Sequence, residues 1–376
     1  MAGQYGRTIE VECLLRIIES VQNGNEVPQK VRSVDWDQIY KLTDYHKVAN
    51  LIYLALIGME TTISEKTHEK FFARYQESFL SGEKYEKEVE RIMLAFDRNE
   101  IHCMLFGAYI MRSYYPIKEM QMLSAIEIFI EEGQLEEIEF LLERIGYEKS
   151  EEIVRIGHKY KKGSDSTIIL RNYAKITGKK KKYKKKLLRK VPTVIGHSYI
   201  HQWDRNAFYV HLIQELVDYY AEGEINVRHV LDYWNYYKEV SDTLNWNYIE
   251  EELNKLQLLK FATYIRQLAH IWFDGQIATE DQEIYYNMEQ YILTKGANGR
   301  AISKEFLPLI QVEEKKERVW EQKKRRKERH QWKFPRKEYM KELFPILNKY
   351  PMLLPIFWLY RLYFIYGKQK KNDDKS

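Results

Sequence analysis

Two short apolar runs in the first half of the chain constrain its fold more than any other feature. Residues 103–106 read CMLF and are followed by Gly107, and residues 125–130 read AIEIFI. Short apolar runs that end at turn residues are typical of buried strands. Because a strand must pair its backbone groups with neighbouring strands, these runs predict a small sheet within the chain.

The segments on either side of these runs have the periodicity of helices. Apolar residues recur at three- and four-residue spacing over about the first hundred residues, and again from about residue 205. Between these regions, the segments 153–160 and 166–174 flank a turn rich in Gly, Ser and Asp and predict a hairpin. The pattern favours an α+β fold, with a small mixed-sheet core flanked by mainly helical parts.

The length of 376 residues is sufficient for more than one domain. With 44% hydrophobic and 31% charged residues, the composition is that of a globular protein. The changes of pattern predict four parts. These are a helical N-terminal part at 1–95, the α/β core at 96–200, a helical domain at 201–310, and a basic segment with an amphipathic aromatic tail at 311–376.

Glu127 is the one charged residue of the second apolar run. Strand side chains alternate between two faces, so the residue that shares its face two positions earlier is Ala125. Phosphoryl-transfer enzymes that use two divalent cations need clustered carboxylates, and an acidic pair at this spacing supplies them. The run therefore presents either half of such a pair or an ordinary strand with one solvated glutamate.

An ordered series of motifs resembles that of an uncharacterised bacterial nucleotidyltransferase family within the polymerase-beta-like superfamily. The resemblance extends over roughly residues 30–275. The motifs are DYHKVANLIYLAL at 44–56, MLFG at 104–107, YYP at 114–116, AIEIFI at 125–130, IGY at 145–147, IILRN at 168–172 and VRHVLDYW at 227–234. The resemblance implies a nucleotidyltransferase core that transfers NMP from an NTP to an acceptor with the help of metal ions.

The chain departs from the family pattern at the positions that carry the chemistry. Phe106 stands where the family usually has Lys, and Gln121 stands where an Arg is expected. Ala125 replaces the first acid of the strand pair, and Ile169 falls near the third acid. Arg171 falls near the position of a His. Since one Glu cannot replace three carboxylates around two cations, the sequence predicts weak or absent catalysis.

The resemblance also assigns residues to roles. Gly107 and Ala108 would lie by the phosphates of the nucleotide, where backbone N–H groups bind anions. Glu127 would be the remaining catalytic carboxylate and the ligand for Mg²⁺, if the chain is active. Arg228 and Asp232, four residues apart on a predicted helix, would form an ion pair that braces the helical domain.

Two functions remain open from the sequence. The first is a nucleotidyltransferase homologue with impaired catalysis, whose partners are an NTP and an unknown acceptor. The second is a non-catalytic scaffold or binding protein that contacts an anionic membrane surface or a polyanion.

Two segments carry the second hypothesis. Residues 178–190, GKKKKYKKKLLRK, attract anionic partners if they are not simply a solvated loop. Residues 351–371 contain aromatic residues followed by lysines, which suits a helix at a membrane interface or one packed on the core.

Cys13 and Cys103 are the only cysteines, and both lie in apolar runs. Two distant thiols form neither a metal site nor a disulfide framework, so we expect both to be buried and reduced. The N-terminus lacks the apolar stretch of a signal peptide. These features predict a cytoplasmic protein, peripheral at the inner membrane face if the tail binds lipid.

Overall fold

The computed structural model describes residues 7–27, 34–57, 63–131, 133–153, 157–163, 166–172, 191–276, 282–294, 337, 340–341, 344 and 346–358. The chain divides into two compact units, Met1–Lys304 and Glu305–Ser376. The sheet and the cleft discussed below belong to the first unit.

In the part of the chain that the structure describes, four helices precede the sheet, and side-chain caps define where three of them begin. The N-cap oxygens of Thr8, Asp35 and Ser64 accept backbone N–H groups of the first turn, which would otherwise lack partners. The helices are α1 (Ile9–Asn23), α2 (Trp36–Tyr45), α3 (Ala49–Leu56) and α4 (Glu65–Arg98).

The described residues form a six-stranded mixed sheet, in the order β3-β4-β5-β2-β1-β6. The central strand β2 is antiparallel to β1 and parallel to β5. The strands are β1 (Cys103–Phe106), β2 (Ile126–Ile130), β3 (Glu148–Ile153), β4 (Gly157–Lys162), β5 (Ser166–Asn172) and β6 (Ile200–His201). Helix α5 (Ala108–Met111) follows β1, and helix α6 (Leu135–Arg144) follows β2.

The two faces of the sheet pack against different neighbours. Ile126, Ile128 and Ile130 of β2 join the main apolar core with residues of α4 and α6. On the opposite face, Phe106 and Phe129 form a smaller cluster with Met104 and the partly buried Trp203 and Val191. Glu127 lies on this second face, because strand side chains alternate.

Among the described residues of the first unit, five helices follow the sheet. They are α7 (Arg205–Glu222), α8 (Val227–Val240), α9 (Trp246–Lys255), α10 (Leu259–Phe273) and α11 (Gln282–Thr294). In the second unit, α12 (Ile346–Lys349) precedes a short 3₁₀ turn at Pro351–Leu353. None of the described helices combines the length and the apolar character needed to cross a membrane.

The predicted α+β class is confirmed, and so is the hairpin, which is formed by β4 and β5. The sequence pattern did not reveal β3, whose sequence EKSEEI has one apolar residue, or the two-residue β6. Cys13 and Cys103 are buried and reduced, as predicted. The basic run 178–190 lies outside the described residues, as do residues 359–371 of the aromatic tail.

Candidate functional site

A cleft of about 650 Å³ opens on the side of the sheet where Glu127 lies. Volumes of 300–1,000 Å³ are usual for sites that bind small molecules and cofactors. Its walls come from the β1–α5 turn, strand β2, helices α7 and α8, and the corner between α2 and α3. Its lining residues include Asp44, Lys47, Arg74, Gly107, Ala108, Gln121, Glu127, Glu215, Glu222, Glu224, Arg228 and Asp232.

Glu127 is the second residue of β2 and lies opposite Phe106 of β1 and Ile169 of β5. Its carboxylate lies against Gly107, whose φ of 69° is in the left-handed region. A Cβ atom at position 107 would lie 2.7 Å from Cδ of Glu127 and closer still to Oε1. A glycine at this turn therefore allows both the backbone conformation and the approach of the carboxylate.

Arg171 places its guanidinium group beside this carboxylate. It lies on β5, two residues beyond Ile169 and on the same face, and its Nη2 donates to Oε2 of Glu127 at 3.1 Å. Its Nη1 donates to the carboxylate of Glu215 on α7, and its Cζ lies 4.6 Å from the centre of the Phe106 ring. One guanidinium group therefore holds two carboxylates together.

Burial and the shared guanidinium act differently on the two carboxylates. Burial raises the pKa of Glu127 to about 7, against the opposing charge of Arg171. Burial also acts to raise the pKa of Glu215, but the charge and the hydrogen bond of Arg171 oppose it, and the pKa of Glu215 is lowered. The group of three therefore carries one net negative charge when both carboxylates are ionised, and none when Glu127 is protonated.

The residues around Glu127 do not fit a site for Mg²⁺. The side chains of Ala125 and Ile169, where the resemblance predicts acids, offer no oxygen, and the guanidinium of Arg171 would repel a divalent cation. Among the described residues, no group of three or more His, Cys, Asp or Glu side chains is arranged to hold a metal ion.

The side chain of Phe106 belongs to the apolar cluster on the cleft side of the sheet, with Met104 and Phe129. Its ring stacks on Phe129 with 3.9 Å between the ring centres, and it is fully buried. Where the family pattern has a lysine, this chain has an aromatic ring beneath the guanidinium of Arg171.

Arg228 and Asp232 lie near each other on α8, but Gln121 lies between their side chains. The Nε2 of Gln121 donates to Asp232 at 2.7 Å, and its Oε1 accepts from Arg228. The hydroxyl of Tyr115 also donates to Asp232, at 2.5 Å. The predicted direct ion pair is thus replaced by a bridged one, because the amide of Gln121 can donate to the acid and accept from the base.

The remaining donors of Arg228 extend this network to the N-terminal helices. Arg228 donates twice to the carbonyl of Lys47, at 3.0 and 2.7 Å, and once to Oδ1 of Asn50 at 3.1 Å. Asn50 in turn donates to the carbonyl groups of Glu119 and Met120, each at 2.8 Å. The network ties α8 to the corner between α2 and α3 and to the segment that precedes β2.

Sequence reasoning missed several residues of the cleft, among them Glu215 and Lys47. Glu215 follows His211 by four residues on α7 and lies beside Leu216, so it is a charged residue within a largely apolar stretch. This exception to the helical pattern was the sequence signal that could have identified Glu215 as a candidate site residue. Lys47 gave none, because an isolated lysine after a helix is usually solvated.

Comparison with known proteins supplies one extensive match. The model of a family described as "Uncharacterised nucleotidyltransferase" matches residues 32–274. No curated protein matches the chain.

Two solved structures resemble it distantly. The solution structure of the antibiotic-resistance factor ANT(2″)-Ia has 13% identity and a TM-score of 0.33, and the match covers 48% of this chain and 95% of that one. A crystal structure of ANT(2″)-Ia in complex with adenylyl-2″-tobramycin has 12% identity and a TM-score of 0.32, with coverage of 46% and 95%.

Proposed function

Because the chain belongs to the uncharacterised nucleotidyltransferase family, we propose that it binds a nucleoside triphosphate in the cleft and that its transfer of NMP is weak or lost. The observation that carries this proposal is the guanidinium of Arg171, which pairs with both Glu127 and Glu215. The guanidinium of Arg171 thus occupies the place where the family reaction needs carboxylates that are free to bind metal ions.

The loss of catalytic groups has a predictable size. In other enzymes, removing a single group that stabilises the transition state lowers the rate on the order of 100- to 1,000-fold. At two of the three positions where acids are expected, the chain has the apolar residues Ala125 and Ile169. The remaining acid, Glu127, is paired with Arg171. The combined deficit supports a rate far below that of an intact family member.

The cleft supports retained binding. Gly107, Ala108 and Glu127 all line it, and its volume is in the range of cofactor sites. Helix α5, which begins at Ala108, has only four residues, so its dipole contributes little to the binding of phosphates. The charge that holds the nucleotide must come mainly from side chains.

Turnover is tested by the release of pyrophosphate from each of the four NTPs, with Mg²⁺ or Mn²⁺ present. The wild-type chain, Glu127→Ala and the control Glu69→Ala, which alters an exposed carboxylate of α4, are compared. We expect no release above background in any of them. Robust release that Glu127→Ala abolishes and Glu69→Ala retains would refute the loss of catalysis.

Binding is tested separately, by isothermal titration calorimetry with ATP in the absence of metal. We expect saturable binding to the wild-type chain, and weaker binding at high salt because the contacts are ionic. Failure of all four nucleotides to bind, with or without Mg²⁺, would refute the proposed nucleotide site.

A further inference from the structure

The positively charged residues that line or border the cleft differ in how completely their charge is compensated. Arg171 pairs with Glu127 and Glu215, and Arg74 pairs with Asp44 at 2.7 Å. Arg228 donates only to neutral oxygens, those of Lys47, Asn50 and Gln121. Its charge therefore faces no carboxylate directly, since Gln121 separates it from Asp232.

Lys47 lies directly beside Arg228, whose charge reaches the carboxylate of Asp232 only across Gln121. It lines the cleft and is exposed, and among the described residues no carboxylate forms an ion pair with its side chain. The two hydrogen bonds from Arg228 to its carbonyl fix its backbone against α8. Two positive charges without a direct acidic partner thus lie at one corner of the cleft.

Acidic residues also line the cleft. Glu127 and Glu215 share one guanidinium, and Glu222 and Glu224 also line the cleft. An anionic group would be repelled there and attracted to the corner of Lys47 and Arg228. A bound anion is therefore favoured beside Lys47 and disfavoured beside the carboxylates of Glu127 and Glu215.

We propose that Lys47, supported by Arg228, binds the phosphate groups of the ligand in the cleft. An ammonium group carries three rotatable donors on a flexible stem, which suits the oxygens of a phosphate chain. This assignment rests on the proposed function for the identity of the ligand as a nucleotide. It assigns the phosphate-binding charge to the corner between α2 and α3, since the buried Phe106 carries no charge.

The backbone conformation of Lys47 does not itself require a ligand. Its φ of 57° ends α2 in a Schellman motif, in which the N–H of Val48 donates to Thr43 and that of Lys47 to Asp44. Gln257 has the same conformation, with φ of 61°, after α9. Gln257 does not line the cleft, so it provides a matched control for changes at position 47.

The test compares Lys47→Gly with Gln257→Gly. Glycine removes the strain of the left-handed conformation at either site, so each variant should melt roughly 2 °C higher than the wild type. Only Lys47→Gly should also weaken the metal-free binding of pyrophosphate and ATP, by about tenfold, because it removes one charge-assisted contact. Lys47→Arg, which keeps the charge, should retain most of the affinity.

The outcomes separate the two proposals. Binding of ATP and pyrophosphate that is equal in the wild type, Lys47→Gly and Gln257→Gly would overturn the assignment of Lys47 and leave the nucleotide site intact. If the wild-type chain binds neither ligand, the proposed function itself fails and this inference fails with it. The inference is supported if both variants melt at a higher temperature and only Lys47→Gly also binds ATP and pyrophosphate more weakly.

Discussion

The carboxylate of Glu127 occupies the space that a side chain on residue 107 would need. Gly107 has φ of 69° and ψ of −150°, and a Cβ atom there would overlap Oε1 of Glu127. This backbone conformation is nearly exclusive to glycine. The contact with Glu127 is a second reason why position 107 requires glycine. The glycine thus fixes the distance between the β1–α5 turn and the one acid of β2.

Gly107→Ala should lower the free energy of unfolding by about 2–3 kcal/mol, because it combines backbone strain with the displacement of Glu127. Urea denaturation measures the change. Gly163→Ala is the control, since Gly163 has φ of 60° but nothing within 4 Å of the added methyl group. That control should lose only about 1 kcal/mol. Equal losses in the two variants would show that the contact with Glu127 has no energetic consequence.

Arg171→Met should lower the free energy of unfolding by about 3–5 kcal/mol, because it leaves Glu127 and Glu215 side by side without their shared cation. Adding Glu127→Gln should recover part of this loss. The comparison is Arg74→Met, which breaks an ion pair whose arginine side chain is 38% exposed and should cost no more than about 1 kcal/mol. A similar loss at both arginines would contradict the central position given to Arg171.

The strands of the core could be predicted because their apolar runs are short and end at turn residues. The helices could be predicted from their periodicity, and the hairpin from the glycine-bearing turn between its strands. Strand β3 could not, because its sequence EKSEEI has the composition of a solvated segment. It is a strand because β4 offers an edge with which it can pair.

The candidate site could be predicted only in part. The alternation rule placed Glu127 on the cleft face, and the ordered motifs placed Ile169 beside it, where the strand register puts it. The pairing of Arg171 with Glu215 could not be foreseen, because it joins β5 to α7 across more than forty residues of sequence. Contacts of this kind depend on how helices dock, which no local pattern specifies.

The incomplete set of acids leads to a third prediction. Ala125→Asp with Ile169→Glu restores two carboxylates around Glu127, since Ile169 is its direct neighbour on β5. This pair alone should gain little affinity for Mg²⁺, because the charge of Arg171 remains. The triple variant with Arg171→Met should bind Mg²⁺ measurably by isothermal titration calorimetry.

Arg171→Met alone serves as the control for this series. It should bind Mg²⁺ more weakly than the triple variant, because it lacks the two added carboxylates. If the triple variant has no affinity for Mg²⁺, the positions assigned to the missing acids are wrong.

The fourth prediction concerns pH. Burial raises the pKa of Asp232 from 3.8 to about 6, with the charge of Arg228 opposing the shift. The protonated form is therefore favoured by folding. Its contribution to stability is complete below pH 3.8 and is lost as the pH rises through 6. A shift of about two units corresponds to at most about 3 kcal/mol.

Asp232→Asn removes this titration, and its side-chain oxygen can still accept from Tyr115 and Gln121. Relative to the wild type, the variant should therefore gain stability between pH 4 and pH 7 and change little above pH 7. Urea denaturation of both proteins at intervals across this range measures the difference, in which the titration of all other groups cancels. If the difference stays constant from pH 4 to pH 7, Asp232 titrates in the folded protein as it does in the unfolded chain. In that case burial beside Tyr115 and Gln121 does not favour its neutral form.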